Sequence, residues 1–166
     1  MANDVKGGRI AKNPDPLTPD QRRENMSRIR GRDTKPELML RRELFARGLR
    51  YRLHDKGLPG RPDLVVTSRR AVIFIHGCFW HGHACPRGVT PGTNTAFWVE
   101  KIRRNRERDQ AALSKLLVDE WRVLTVWECA IVGPARRGLP DLGQCVISWL
   151  DHGSRELTIS GAWSAD

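Results

Sequence analysis

A chain of 166 residues, 39% of them hydrophobic, is long enough for one domain around a single core. Twenty-nine Lys and Arg against nineteen Asp and Glu leave a formal charge of +10, which points to a polyanionic partner. A basic start followed by an apolar segment, a span of about twenty apolar residues and a basic helix with an aromatic face are not found, so nucleic acid is preferred over the competing acidic lipid surface, nothing marks the chain for secretion, and a cytoplasmic protein is expected.

Residues 1–17, rich in Gly, Asn, Pro and Lys, lack an apolar period and read as a flexible arm. A single domain is expected from 18 to 151. It opens on Thr18, Pro19 and Gln21, the N-cap, first-turn proline and capping-box partner of a helix reaching about Arg30. Arg22, Arg23, Arg28 and Arg30 outnumber its apolar Met26 and Ile29, so this helix is either an arm for phosphate contacts or a solvated basic face. Thr34-Lys35-Pro36-Glu37 starts the next helix, and Gly48 ends it in the left-handed conformation. Glu37 falls within the apolar arc of Leu38, Leu40, Leu44 and Phe45. Its carboxylate there either reaches back to cap Thr34 or is aimed at a buried site.

Leu49 to Leu53 reads as a short strand. The loop from His54 to Pro62, broken by Gly57, Pro59, Gly60 and Pro62, delivers Asp63 to the mouth of a strand Leu64-Val65-Val66. With Arg69 and Arg70 as the central pair of a tight hairpin, the return strand Ala71 to Ile75 sets His76 opposite Asp63; a longer loop would shift the pairing. This apolar run empties into His76, Cys78, Phe79, Trp80, His81, His83 and Cys85, a segment too polar to be core. Thr95 caps a helix through about Val118, with Ile102, Leu113, Leu116 and Leu117 toward the sheet and Lys101, Arg103, Arg104, Arg106 and Arg108 as a second basic surface. Arg122 to Trp127 is a nearly continuous apolar strand, and the strand-helix-strand order predicts a parallel crossover beside Ala71 to Ile75. A helix from Asp141 to Leu150 offers Leu142, Cys145, Val146 and Trp149 to the core, and Trp121 and Trp127 are further core candidates. Residues 152–166 read as a frayed tail.

Two constellations follow. In an intracellular chain, four cysteines suggest metal ligands or free thiols. Cys78-x4-His83-x-Cys85, with Cys129 brought alongside by the crossover, makes a closed tetrahedral zinc set that would hold a loop too polar to hold itself. Asp63, His76, His81 and Glu37 form the second. An Asp at a strand mouth offers hard oxygen to Mg²⁺, and a His on the adjoining loop is placed to deprotonate an attacking water. With a phosphodiester as the polyanion, that set describes a metal-dependent nuclease.

The runs Gly60-Arg61-Pro62-Asp63, Val72 through His81, Phe97 through Ile102, Arg108-Asp109, Trp121 through Leu124 and Trp127-Glu128-Cys129 resemble the very short patch repair endonucleases, known as Vsr. The resemblance extends from about Arg22 to Val132. It implies an α/β, restriction-endonuclease-like core, a mixed central sheet flanked by helices, with a structural zinc site. Asp63 would be the Mg²⁺ ligand, joined by the backbone carbonyl of Ile75, a position the family fills with a Thr carbonyl. His81 would be the general base, with His76 and Glu37 hydrogen-bonding metal-bound waters and Cys78, His83, Cys85 and Cys129 holding structural Zn²⁺. Phe79, Trp80 and Trp98 match aromatics that wedge into the duplex from the major groove, and Met26 would enter the opposite groove. Asp109 also matches, without an assigned role. The second acid and the Lys of ordinary restriction nucleases are absent, since Phe74 and His76 stand there, as they do in Vsr.

The expected function is therefore Mg²⁺-dependent, strand-specific nicking of DNA next to T:G mismatches left by deamination of 5-methylcytosine, giving 5′-phosphate and 3′-hydroxyl ends. Double-stranded DNA is the expected partner, a MutL-type mismatch repair protein a family-level one, and the nucleoid the place of action. A T:G site has no two-fold axis to mirror, so a monomer is expected. Competing readings are a zinc-stabilised DNA-binding module without catalysis and a restriction nuclease that cuts paired DNA.

Overall fold

The computed structural model describes residues 31–163 together with Thr18, Asp20, Gln21, Arg23 and Glu24. The arm expected at 1–17 and Met26 lie outside the described residues. The first capping box is present: Thr18 N–H donates to Gln21 Oε1 at 2.9 Å and Gln21 N–H donates to Thr18 Oγ1 at 3.2 Å.

The described core runs α1 (Lys35–Ala46), β1 (Arg52–Leu53), β2 (Leu64–Val66), β3 (Ala71–His76), α2 (Thr95–Val118), β4 (Arg122–Trp127), α3 (Glu128–Ile131), α4 (Leu139–His152) and β5 (Glu156–Ile159). The five strands lie in sequence order in one sheet; β1, β2 and β3 are antiparallel neighbours, while β3, β4 and β5 are parallel. Side chains alternate between faces of a strand, so each strand feeds two cores. Leu64, Val66, Ile73, Ile75, Leu124 and Val126 pack with Leu40 and Leu44 of α1 and with Leu142, Val146 and Trp149 of α4. Val65, Val72, Phe74 and Val123 pack on the other face against Leu116 of α2. Helices on both faces explain why all of Ala71–Ile75 is apolar and buried. No described helix is long and apolar enough to cross a membrane.

Several expectations are corrected. The β2–β3 turn is not a two-residue Arg-Arg hairpin. Thr67–Arg69 form a 3₁₀ turn closed by Arg70 at φ 45°, and Leu64 therefore faces Ile73 rather than Ile75. A tight primed turn needs positive φ at both central residues, which two arginines resist. The slip is two residues, so every side chain keeps its face. Asp63 stays on the face shared by Val65, Phe74 and His76, but moves along β3 to lie across from Phe74 instead of His76. The strand expected at Leu49–Leu53 is only Arg52–Leu53. Asn94 at φ 51° occupies the cap position of α2, and Thr95 is its first residue. Cys145 is exposed rather than core. The tail expected to fray from residue 152 instead carries β5, hydrogen-bonded along β4, while Gly161 packs against the Cys129 and Ala135 carbonyls so closely that a Cβ there would meet them at 2.7 and 2.8 Å.

Candidate active site and metal centre

Parallel pairing sets His76 beside Trp127, so the chains leaving β3 and β4 start side by side, and Cys78 and Cys129 each follow two residues on. The loop after β3 bends back, with His83 N–H donating to the Cys78 carbonyl at 2.9 Å. Gly88 allows the closure, since a Cβ there would lie 2.0 Å from the His83 carbonyl oxygen. Cys78, His83, Cys85 and Cys129 offer ligand atoms all within 4.8 Å of one another, and none of the cysteines is disulfide-bonded. Four ligands on bonds of about 2.0–2.3 Å stand about 3.3–3.8 Å apart in a tetrahedron, and the Cys129 Sγ to His83 Nδ1 separation is 3.6 Å. The donor set fits a tetrahedral metal. Burial, reinforced by the charges of Cys129 and Cys85, pushes the Cys78 thiol far above its ordinary range, so thiolates here need a cation beside them. Around the cluster, Gly161 N–H donates to Cys129 Sγ at 3.2 Å, Cys78 N–H donates to Glu128 Oε2 at 3.2 Å, and Arg87 pairs with Glu128 Oε1 at 2.6 Å. The His83 ring stacks on Trp127 with centroids 4.2 Å apart.

At the mouth of β2, Asp63 Oδ2 accepts from Ile75 N–H at 2.7 Å. On an antiparallel strand a residue's N–H and C=O point to the same side, so the Ile75 carbonyl is also turned toward Asp63. Burial, with the charge of Glu37 adding to it, pushes the Asp63 carboxyl up to about 7 against the lowering effect of the Ile75 N–H. A desolvated carboxylate with an oxygen to spare and a second acid nearby is a fit place for a hard divalent cation.

His76 and His81 stack with centroids 4.0 Å apart and planes 2° off parallel. Burial, then the His81 charge, lowers His76 to about 3, so its ring is neutral near pH 7. His81 Nδ1 is hydrogen-bonded to Oδ2 of Asp109, which α2 presents across the loop. Burial alone would raise Asp109, but that hydrogen bond and the charges of His81 and Arg108 outweigh it and hold the carboxyl below its usual value. With Nδ1 engaged, His81 Nε2 is the nitrogen left to exchange a proton.

Glu37 is buried and reaches back toward the start of α1: Oε1 accepts from the Thr34 hydroxyl at 3.0 Å, and Oε2 accepts from Asp33 N–H and Arg41 Nη2, both at 2.9 Å. Its charge is nonetheless felt at Asp63. The aromatic residues form a group beside this site. Phe79 makes edge contacts with Trp80 and Trp98 at 5.0 and 5.1 Å, and Lys101 Nζ lies 5.2–5.8 Å from the rings of Trp80, Trp98 and Phe97. Trp98 is 5% exposed and forms the floor of this group, whereas Phe97 is 58% exposed.

The sequence profile described as DNA mismatch endonuclease Vsr matches residues 14–87. DNA mismatch endonuclease Vsr of Escherichia coli is 52% identical over 112 residues, spanning 68% of this chain and 72% of that protein. The Type II nicking enzymes V.XorIIP of Xanthomonas oryzae pv. oryzae and V.NmeAIP of Neisseria meningitidis are 47% and 44% identical, spanning 70% and 73% of this chain and 86% of each relative. The chain belongs to the Vsr family. Family membership makes it an endonuclease acting on DNA.

Within this Vsr-family chain, the structure brings together Cys78, His83, Cys85 and Cys129, and separately His76, His81 and Asp109. Sequence reasoning matched Asp109 without a role; an acid inside the basic run of α2 was the available signal. It missed Arg41, although Glu37 and Arg41 at i and i+4 are the standard ion-pair spacing of a helix. It also missed His54, which no local pattern singles out. The basic surface on α2 is partly neutralised, with Arg103 and Arg104 paired to Glu100 at 2.6–2.8 Å.

Proposed function

We propose that this chain nicks one strand of duplex DNA next to a T:G mispair by Mg²⁺-dependent hydrolysis, leaving a 5′-phosphate. The observation that carries the reading is the Asp109–His81 dyad lying on a neutral His76, with the His81 charge felt at the buried Asp63 on the same face of the sheet. Asp63 and the Ile75 carbonyl would hold Mg²⁺, which would supply the Lewis acidity that offsets charge growing on the phosphate. His81 Nε2 takes the proton of the attacking water, and Asp109 fixes the tautomer and steadies the imidazolium that results. His76 stays neutral and packs flat against His81, holding the ring's plane without adding charge. Zinc is the metal we assign to Cys78, His83, Cys85 and Cys129, and its part is to hold the loop that carries His81.

Selectivity for a mispair is assigned to Phe79 and Trp80, with Trp98 as their support and the exposed Phe97 beside them. Aromatic side chains replace stacking lost when a step opens, at a cost of a few kcal/mol that falls where a mismatch has already weakened the stack.

The test is cleavage of a T:G duplex and its perfectly paired counterpart, each with and without Mg²⁺. Nicking of one strand, only on the mismatched duplex and only with Mg²⁺, is expected. Equal cutting of both duplexes sinks the mismatch assignment, and undiminished nicking without a divalent ion sinks the metal role. Asp109→Asn is expected to lower kcat by about 10²–10⁴-fold, because the amide favours the wrong His81 tautomer; single-turnover nicking rates measure it.

A further inference from the structure

Asp33, Glu37 and His54 offer ligand atoms within 4.8 Å of one another, a grouping that resembles a second cation site. A guanidinium already occupies it. Arg41, buried on α1, donates from Nη1 to Asp33 Oδ1 at 2.5 Å and from Nη2 to Glu37 Oε2 at 2.9 Å, and its Nη2 lies 2.7 Å from His54 Nε2. Tyr51 OH donates to the Arg41 carbonyl at 2.9 Å and ties α1 to the chain entering β1.

The Arg41 contact decides which nitrogen of His54 carries hydrogen. A guanidinium only donates, so the ring nitrogen facing it at 2.7 Å must present a lone pair. The competing partner of that nitrogen, Asp33 Oδ1, stands at 3.9 Å, too far for a hydrogen bond. The ring N–H is therefore on Nδ1, which stands 3.7 Å from Asp63 Oδ1, outside hydrogen-bond reach but near enough for the N–H dipole to act on that oxygen. The backbone holds the two residues in register, since His54 N–H donates to the Asp63 carbonyl at 3.3 Å. His54 keeps this place at φ 47°, a conformation that few non-glycine residues adopt. Asp63 Oδ2 is fixed by Ile75 N–H, so the His54 ring is the group placed to orient the other oxygen.

We propose that His54 is a positioning residue for the catalytic cation: Arg41 locks its tautomer so that its Nδ1–H steers Asp63 Oδ1 toward the ion. The inference rests on the reading of Asp63 as the cation's ligand. Partners that orient a ligating carboxylate are worth about 10–100-fold in metal affinity.

The probe is Mn²⁺, titrated into the zinc-loaded protein and followed by water-proton relaxation enhancement, with nicking rates against Mn²⁺ concentration read in parallel. Three variants separate the parts of the ring. His54→Asn keeps an amide N–H near the position of Nδ1 and tolerates positive φ; His54→Gln reaches toward Arg41 and loses the donor to Asp63; His54→Leu loses both. Expected is Mn²⁺ affinity close to the parent in His54→Asn and reduced by about tenfold or more in His54→Gln and His54→Leu, with melting temperatures confirming that each folds. Parent-like affinity in His54→Leu, or an Asn variant that binds no better than the Leu variant, overturns the proposal. Asp63→Asn separates the two levels. If Asp63→Asn loses Mn²⁺ and His54→Leu does not, only the role of His54 falls; if Asp63→Asn binds Mn²⁺ as the parent does, the assignment of Asp63 falls and the role of His54 with it.

Discussion

Asp63→Asn is expected to lose at least about 10³-fold in nicking rate while becoming more resistant to unfolding than the parent at pH 8 without Mg²⁺. The two effects share one cause. The carboxylate is the charge that would hold the cation, and losing Lewis-acid stabilisation worth several kcal/mol costs a factor of ten for each 1.4 kcal/mol or so. Without the cation that same charge is a liability, because burial lifts the carboxyl from 3.8 to about 7. A raised acid contributes stability that is fully present below its unfolded value and is lost as pH rises through its folded value. The window here is therefore between about 4 and 7. Across it the parent should weaken relative to Asp63→Asn by on the order of 2 kcal/mol between pH 5 and pH 8. Asparagine retains an oxygen for the Ile75 N–H, which keeps the comparison clean. Urea unfolding of both proteins at the two pH values, without Mg²⁺, measures the difference. Parallel pH profiles would show that Asp63 is not desolvated in the folded chain, and retained nicking would remove it from the active site.

The second large effect is expected at Cys129. Among the described residues, Trp127 and Trp163 are the partly buried apolar side chains packed on the three cysteines, so the cluster itself has little apolar burial to hold it. Structural zinc contributes about 10 kcal/mol or more to folding in small sites, far above what this loop could draw from packing. Cys129→Ala should therefore drop bound zinc from one per chain to near none and sharply lower the melting temperature. Nicking should vanish with the metal, because His81 sits in the loop between Cys78 and His83. Cys145→Ala, at an exposed cysteine outside the cluster, should keep both metal and stability. Elemental analysis of the purified proteins together with thermal melts decides the matter: a Cys129→Ala protein with full zinc and a parent-like melt contradicts the assignment.

Where local chemistry decides, the residues were sufficient. The helices Lys35–Ala46 and Thr95–Val118 begin and end close to their cap, proline and glycine signals, and Arg122–Trp127 is the apolar run read as a strand. Cys129 could be joined to Cys78, His83 and Cys85 from sequence because a crossover between strands fixes handedness and parallel direction before any contact is known. The hairpin register was less accessible, since the energy of a turn depends on φ values that Arg-Arg does not advertise, and β5 was hidden because Glu156–Ile159 is only four residues long with two apolar side chains, Leu157 and Ile159, and draws its hydrogen bonds from β4.

The sequence by itself determined the helices Lys35–Ala46 and Thr95–Val118 and the strands around them up to Trp127, and offered Cys78, His83, Cys85, Cys129, Asp63 and His81 as site candidates, because periodicity, capping and motif spacing act over a few residues. Tertiary structure alone decided which groups meet the candidate site residues. Asp109 reaches His81 from 28 positions away because α2 crosses the loop, and Arg41 meets His54 from 13 positions away because α1 packs against the strand mouth. Hydrogen bonds act over about three ångströms of space, and no pattern along a chain records which distant groups will come that close.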